Sequence, residues 1–241
     1  MIKVTKYESV VELTFEFAKG DLLTLSCLNE LISILKEIKL DPTVSGLLIT
    51  GTGNYFCTGL DASDSVGPKQ DKFWRESFRA LDEFLILLFK FNKPVVTAIN
   101  GHSIGAGFLI QLCSDITFVA NNDRIKMGFP ELSLGLTIDK IMIQVANYSL
   151  KSDRDLQSLM YSSQLIGPTR AHELGVVDEI MESDLLVSVA RERLNQIMQG
   201  SLEAFSTTKN LLRGSAIESM EAALAEDCHY IFDKLMNPIS K

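Results

Sequence analysis

Lys93-Pro94-Val95-Val96-Thr97-Ala98-Ile99-Asn100-Gly101-His102-Ser103-Ile104-Gly105-Ala106-Gly107-Phe108 decides how the rest of the chain is read. Val95–Ile99 is a β-branched apolar run, and the glycine-punctuated turn after it opens into an apolar helix reaching about Cys113. Glycine adopts backbone conformations that other residues reach only with strain, and without a Cβ it lets a ligand approach the main chain. Such a turn gathers free N–H groups and a helix N-terminus at one point, which suits an anion or an oxyanion that develops during a reaction. A glycine-rich strand–turn–helix is common, so its meaning rests on what accompanies it.

Working outward, Val11, Leu13, Phe15 and Phe17 alternate with Glu12, Thr14 and Glu16, the pattern of a half-buried strand. Leu28, Leu31, Ile32, Leu35 and Ile38 recur at helical spacing, with Thr24 or Ser26 as the cap and Pro42 to end the run. Leu47–Thr50 is a short apolar strand closed by Gly51-Thr52-Gly53-Asn54. A polar segment from Asp61 to Asp71 precedes a helix over about Phe73–Phe89, and Ile116–Ala120 reads as another strand. Beyond Met127 the chain reads as mainly helical. Helices are expected near Asp139–Tyr148, Ser152–Tyr161, Pro168–Leu174, Leu185–Met198, Ser201–Leu212 and Ile217–Leu235. Alternating strands and helices followed by a helical last third give an α/β class.

Bulk properties narrow the function. The 241 residues are 46% hydrophobic with mean hydropathy +0.15, enough for a sizeable core. A formal charge of −8 without a basic run argues against a nucleic-acid partner. Lys90, Lys93 and Pro94 interrupt the most apolar region, which therefore does not read as membrane-spanning. The first residues carry no apolar signal-peptide core. Cys27, Cys57, Cys113 and Cys228 are widely spaced, and His102, His172 and His229 form no cluster. Neither a disulfide framework nor a metal site is expected, and the compartment reads as reducing and cytoplasmic.

A second loop, Asn54-Tyr55-Phe56-Cys57-Thr58-Gly59-Leu60-Asp61, shares the chemistry of the first: it follows a strand and carries glycine where N–H groups can point inward. Two converging N–H donors are what a thioester carbonyl needs as it becomes an enolate. The order of F-x-x-G-x-D, then K-P-x₆-G-x₃-G-x-G, then P-E-x₃-G is specific. It is carried by Phe56–Asp61, Lys93–Gly107 and Pro130-Glu131-Leu132-Ser133-Leu134-Gly135. With these pieces, and with Ala171–Val177 similar to a later A-x-x-x-G-L-V segment, nearly the whole chain resembles the crotonase (enoyl-CoA hydratase/isomerase) superfamily.

That resemblance implies a spiral of ββα units over residues 1–195. It also implies a helical C-terminal trimerisation region over 196–241, packing on the core or on a neighbouring subunit of a homotrimer or hexamer. It assigns the oxyanion hole to the N–H groups of Thr58 and Ala106, with Gly105 and Gly107 allowing the tight turn. Gly59, Leu60 and Asp61 would lie against the coenzyme A portion of the substrate, and Lys209 is a candidate phosphate contact. No separate cofactor is implied; coenzyme A, or an acyl-carrier protein, arrives as part of the thioester. Family hydratases place one carboxylate two residues after the last glycine of the turn and a second in the P-E segment. Here Leu109 occupies the first position and Glu131 the second. A single carboxylate is suited to moving a proton between two carbons. The apolar neighbours Met127, Phe129, Leu132 and Leu134 should raise the pKa of Glu131. Asp139 has two readings: a second proton-transfer group, as in dienoyl-CoA isomerases, or the N-cap of the next helix.

Three functions follow. The leading one is a Δ3-Δ2-enoyl-CoA isomerase. The first rival is another reaction through the same enolate: decarboxylation, C–C bond formation of the carboxymethylproline synthase kind, or hydration. The second is a non-catalytic acyl-CoA-binding module.

Overall fold

The computed structural model describes residues 1–16, 22–61, 63 and 70–226. In chain order the elements begin with β1 (Ile2–Tyr7), β2 (Val10–Phe15), α1 (Leu25–Leu40), β3 (Gly46–Gly51), β4 (Tyr55–Cys57) and α2 (Gln70–Phe89). Then come β5 (Val95–Ile99), β6 (His102–Ile104), α3 (Ala106–Leu112), β7 (Ile116–Ala120), β8 (Met127–Gly128) and a 3₁₀ turn at Glu131–Leu134. The rest is α4 (Lys140–Ser149), α5 (Asp153–Ser162), α6 (Pro168–Leu174), β9 (Glu179–Met181), α7 (Leu186–Met198) and α8 (Leu202–Ala225). Its mixed α/β architecture is that of the crotonase fold, with the expected helical C-terminal third.

Two sheets organise these elements. The larger runs β1-β2-β3-β5-β7-β9, parallel throughout except for the β1–β2 hairpin, and the smaller, all parallel, runs β4-β6-β8. Val95–Ile99 is buried at every position, as expected of a parallel strand covered on both faces. Each of β3, β5 and β7 in the large sheet is followed by a short strand of the small one, so the chain alternates between the two sheets.

Several expectations are refined. β1 is an edge strand with Val4 49% exposed amid Lys3, Thr5 and Lys6, so it lacks the alternation that reveals β2. β4, β6 and β8 span two or three residues each, too few to show a period, and they occupy sequence that reads as turn. Helices expected at 201–212 and 217–235 are one continuous helix, α8, through Gly214. Phe17, most of the polar segment 61–71 and everything after residue 226 lie outside the described residues.

α8 is tied to its own chain by a buried ionic group. Lys209 Nζ donates to Asp115 Oδ2 at 2.8 Å, and Arg213 Nη2 lies 3.0 Å from Asp115 Oδ1. Arg213 also donates to the carbonyls of Phe89, Cys113 and Ser114, while the Val95 N–H donates to Asp115. Asp115 thus joins the ends of α2 and α3, the start of β5 and the middle of α8. Removing the carboxylate leaves two buried cations without their counter-ion, which costs about 3–5 kcal/mol. Asp115→Ala should therefore lower the urea midpoint by that equivalent. Lys6→Ala, which breaks an exposed pair with Asp41, should cost under about 1 kcal/mol. Similar losses in the two variants would refute this account.

Candidate active site

Three segments leave the same ends of three neighbouring parallel strands. β4 pairs with β6 at Cys57–Ser103, and β6 with β8 at Ser103–Met127 and Ile104–Gly128. The chain therefore emerges side by side as Thr58–Leu60, Gly105–Ala106 and Pro130–Glu131, with the β6 segment in the middle.

Glycine makes the middle segment possible. Gly105 sits at φ 56°, ψ −118°, a left-handed conformation that side-chain-bearing residues rarely adopt. Its N–H donates to the Gly128 carbonyl at 3.0 Å and is thus committed to the backbone. The next N–H, of Ala106, is the first of α3 and has no intrahelical acceptor. Gly107 packs so tightly that a Cβ there would collide with the Cys57 carbonyl oxygen. That contact places the start of α3 against the residue preceding Thr58.

Glu131 opens the 3₁₀ turn after Pro130, and its backbone carbonyl accepts the Leu136 N–H at 2.9 Å. Its carboxylate lies over the glycine turn: Oε1 is 3.0 Å from where a Gly105 Cβ would stand. Oε2 is buried with no hydrogen-bond partner among the described residues. Burial pushes the Glu131 pKa up to about 7. Of the expected apolar neighbours, Met127 and Phe129 are buried, whereas Leu132 and Leu134 are 43% and 67% exposed.

Thr58, Ala106 and Glu131 line one cavity of about 250 Å³, together with Gly59, Leu60, Gly105 and Pro130. Its apolar walls are Trp74, Phe78 and Leu81 of α2, with Leu134, Leu136 and Met142. Glu131 is the only ionisable side chain among these residues. The wall residues were missed in the sequence because spacing of i, i+4, i+7 on a helix marks an inward face without saying whether it meets core or cavity. Backbone N–H groups, one raised carboxyl and apolar walls are equipment for moving a proton next to a carbonyl that becomes an enolate.

Other expected site residues lie elsewhere. Leu109 is fully buried in the core on α3 and does not line the cavity. Gly107 serves packing, and Asp61 accepts the Ser63 N–H within its loop. Asp139 is the N-cap of α4, its Oδ1 accepting the Met142 N–H at 2.8 Å, and it is absent from the cavity lining. Lys209 lines a separate, polar cavity of about 370 Å³ and is engaged with Asp115; burial lowers its pKa to about 8. No described helix is long and apolar enough to cross a membrane.

Comparison with known proteins agrees with this geometry. A family model described as enoyl-CoA hydratase/isomerase matches residues 5–237. The mitochondrial enoyl-CoA delta isomerase 1 of Mus musculus is 26% identical over 199 residues, covering 82% of this chain and 68% of that protein. The 2,3-dehydroadipyl-CoA hydratase of Escherichia coli K12 is 25% identical over 237 residues, covering 93% and 86%. The crystal structure of human mitochondrial Δ3-Δ2-enoyl-CoA isomerase superposes with a TM-score of 0.91 at 22% identity, covering 98% of this chain and 92% of that one.

Two outcomes follow from the geometry. Asparagine caps a helix about as well as aspartate, whereas alanine forfeits about 1 kcal/mol. Asp139→Asn should therefore keep both stability and activity while Asp139→Ala loses stability; loss of activity in Asp139→Asn would restore a proton-transfer role. Glu131 binds its proton more tightly folded than unfolded, so its contribution to stability falls as pH rises from about 4.5 to about 7. Glu131→Gln should accordingly be more stable than the parent at pH 8, by on the order of 3 kcal/mol, with the advantage vanishing near pH 4. Chemical denaturation at the two pH values checks this; a pH-independent difference would contradict it.

Proposed function

The chain belongs to the enoyl-CoA hydratase/isomerase family, and from that premise we propose that it shifts a double bond in an enoyl-CoA thioester from Δ3 to Δ2. The observation that carries this reading is the solitary carboxylate: Glu131 is the one ionisable side chain among the described residues lining the cavity.

In this mechanism the ionised Glu131 removes a proton from C2. The electron pair of that C–H bond moves towards the thioester, giving a dienolate whose oxygen accepts hydrogen bonds from the Thr58 and Ala106 N–H groups. Each such donor lowers the barrier by about 3 kcal/mol. The protonated Glu131 then delivers its proton to C4, the C2–C3 double bond forms, and the carboxylate is regenerated. No proton or electron is gained or lost overall. Coenzyme A enters as the carrier of the substrate.

The same observation weighs against hydration. Adding water requires a group to hold and activate it besides the one that handles the C2 proton. The position where family hydratases keep that second carboxylate is Leu109, which is sealed in the core.

A 3-enoyl-CoA incubated with the protein in deuterated buffer should give the 2-enoyl product, with label at C4 only to the extent that the Glu131 proton exchanges with solvent before delivery. Glu131→Gln should lower kcat/KM by about 10²–10⁴-fold. Because the base acts ionised, kcat/KM of the parent should rise with pH through about 7 and level off above it. Formation of a 3-hydroxyacyl-CoA as the main product, or no conversion across a panel of 3-enoyl thioesters, would overturn the proposal.

A further inference from the structure

The cavity walls bear on the acyl group as well as on the thioester. On the reading above, the thioester oxygen lies at the Thr58 and Ala106 N–H groups and the reacting carbons lie beside Glu131. The rest of the cavity is left for the acyl tail. It is formed by Trp74, Phe78 and Leu81, which share one face of α2, and by Leu134, Leu136 and Met142. Trp74 is 9% exposed and stacks on Phe78, ring centroids 5.5 Å apart at 22°. Among the described lining residues no lysine, arginine, histidine, asparagine or glutamine is present.

An acyl tail ending in a methyl group gains by leaving water for such a surface. A tail ending in a carboxylate would lose its hydration without finding a counter-charge, since nothing described on the walls supplies one. It would also place a second negative charge in the same cavity as Glu131, which must be ionised to begin the reaction. Like charges sharing a site resist joint ionisation. Both effects act in the same direction.

We propose that the protein selects thioesters whose acyl group is apolar to its end and rejects those of equal length that carry a terminal carboxylate, with Trp74 as the specificity-determining residue on the wall. The inference rests on the proposed placement of the thioester, but selection by binding does not depend on turnover.

Hexanoyl-CoA and adipoyl-CoA, saturated thioesters of the same chain length, separate the two questions. Titration calorimetry should show adipoyl-CoA binding at least about 100-fold more weakly. Comparable affinities would overturn the selectivity. If the preference holds while 3-hexenoyl-CoA is not isomerised, the isomerase reading fails and the selectivity stands. Trp74→Arg puts a guanidinium on the wall and should narrow the gap at least tenfold; an unchanged gap would remove Trp74 as its determinant. Should that variant fail to fold, Leu136→Lys on the partly exposed turn supplies the charge from another part of the lining. A gap unchanged in it would show that wall charge does not set the preference.

Discussion

Everything at the site depends on how closely the start of α3 approaches the end of β4. Gly107 lies against the Cys57 carbonyl with no room for a single extra carbon, and Cys57 is the residue before Thr58. This contact fixes by main-chain packing how closely the start of α3 approaches the residue before Thr58. Backbone held in that way does not reorganise when charge develops on a bound oxygen, which is the property an oxyanion hole requires. The adjoining Gly105 turns the chain into α3 and commits its own N–H to Gly128, so the third strand, which leads to Glu131, is fastened to the same point.

Two buried ionic features of this protein are built on opposite plans. Asp115 is surrounded by donors: Lys209, Arg213 and the Val95 N–H all reach its carboxylate. Fully paired, it holds α8 and the ends of α2 and α3 together. Glu131 has one oxygen against a glycine turn and the other buried without a partner. A structural carboxylate left so would be a defect. Here burial raises the proton affinity towards neutral pH, the range in which the proposed proton transfer would need one group both to take and to return a proton. That cost in stability falls on the side chain that faces the cavity.

What the sequence revealed divides along physical lines. β3, β5 and β7 are legible as continuous apolar runs because both faces are buried, and α1 is legible from its Leu28–Ile38 stripe and its Thr24 cap. Thr58, Ala106 and Glu131 are brought to one cavity as their motifs imply. The small sheet that brings them there is not legible, because strands of two or three residues have no period and glycine-rich sequence reads as turn. The continuity of α8 was hidden by Gly214, whose helix-breaking tendency is outweighed by the burial of Lys209, Arg213, Met220 and Ala223. Lys209 illustrates a further limit: a lysine in a helix looks the same whether it faces solvent, a phosphate or a buried aspartate ninety-four residues away.

On the proposed function, leucine at position 109 links catalysis to selectivity. A second carboxylate near the glycine turn would hold water and add negative charge, drawing the surroundings towards polarity. With leucine there, sealed into α3, nothing else among the described lining residues carries charge, and the apolar walls close around Glu131 alone. Those walls raise its pKa by withholding solvent, and on the proposed function they would also disfavour hydration and any acyl tail that brings its own charge. The three consequences share one cause, so a polar residue introduced on the α2 face should disturb proton transfer and substrate preference together.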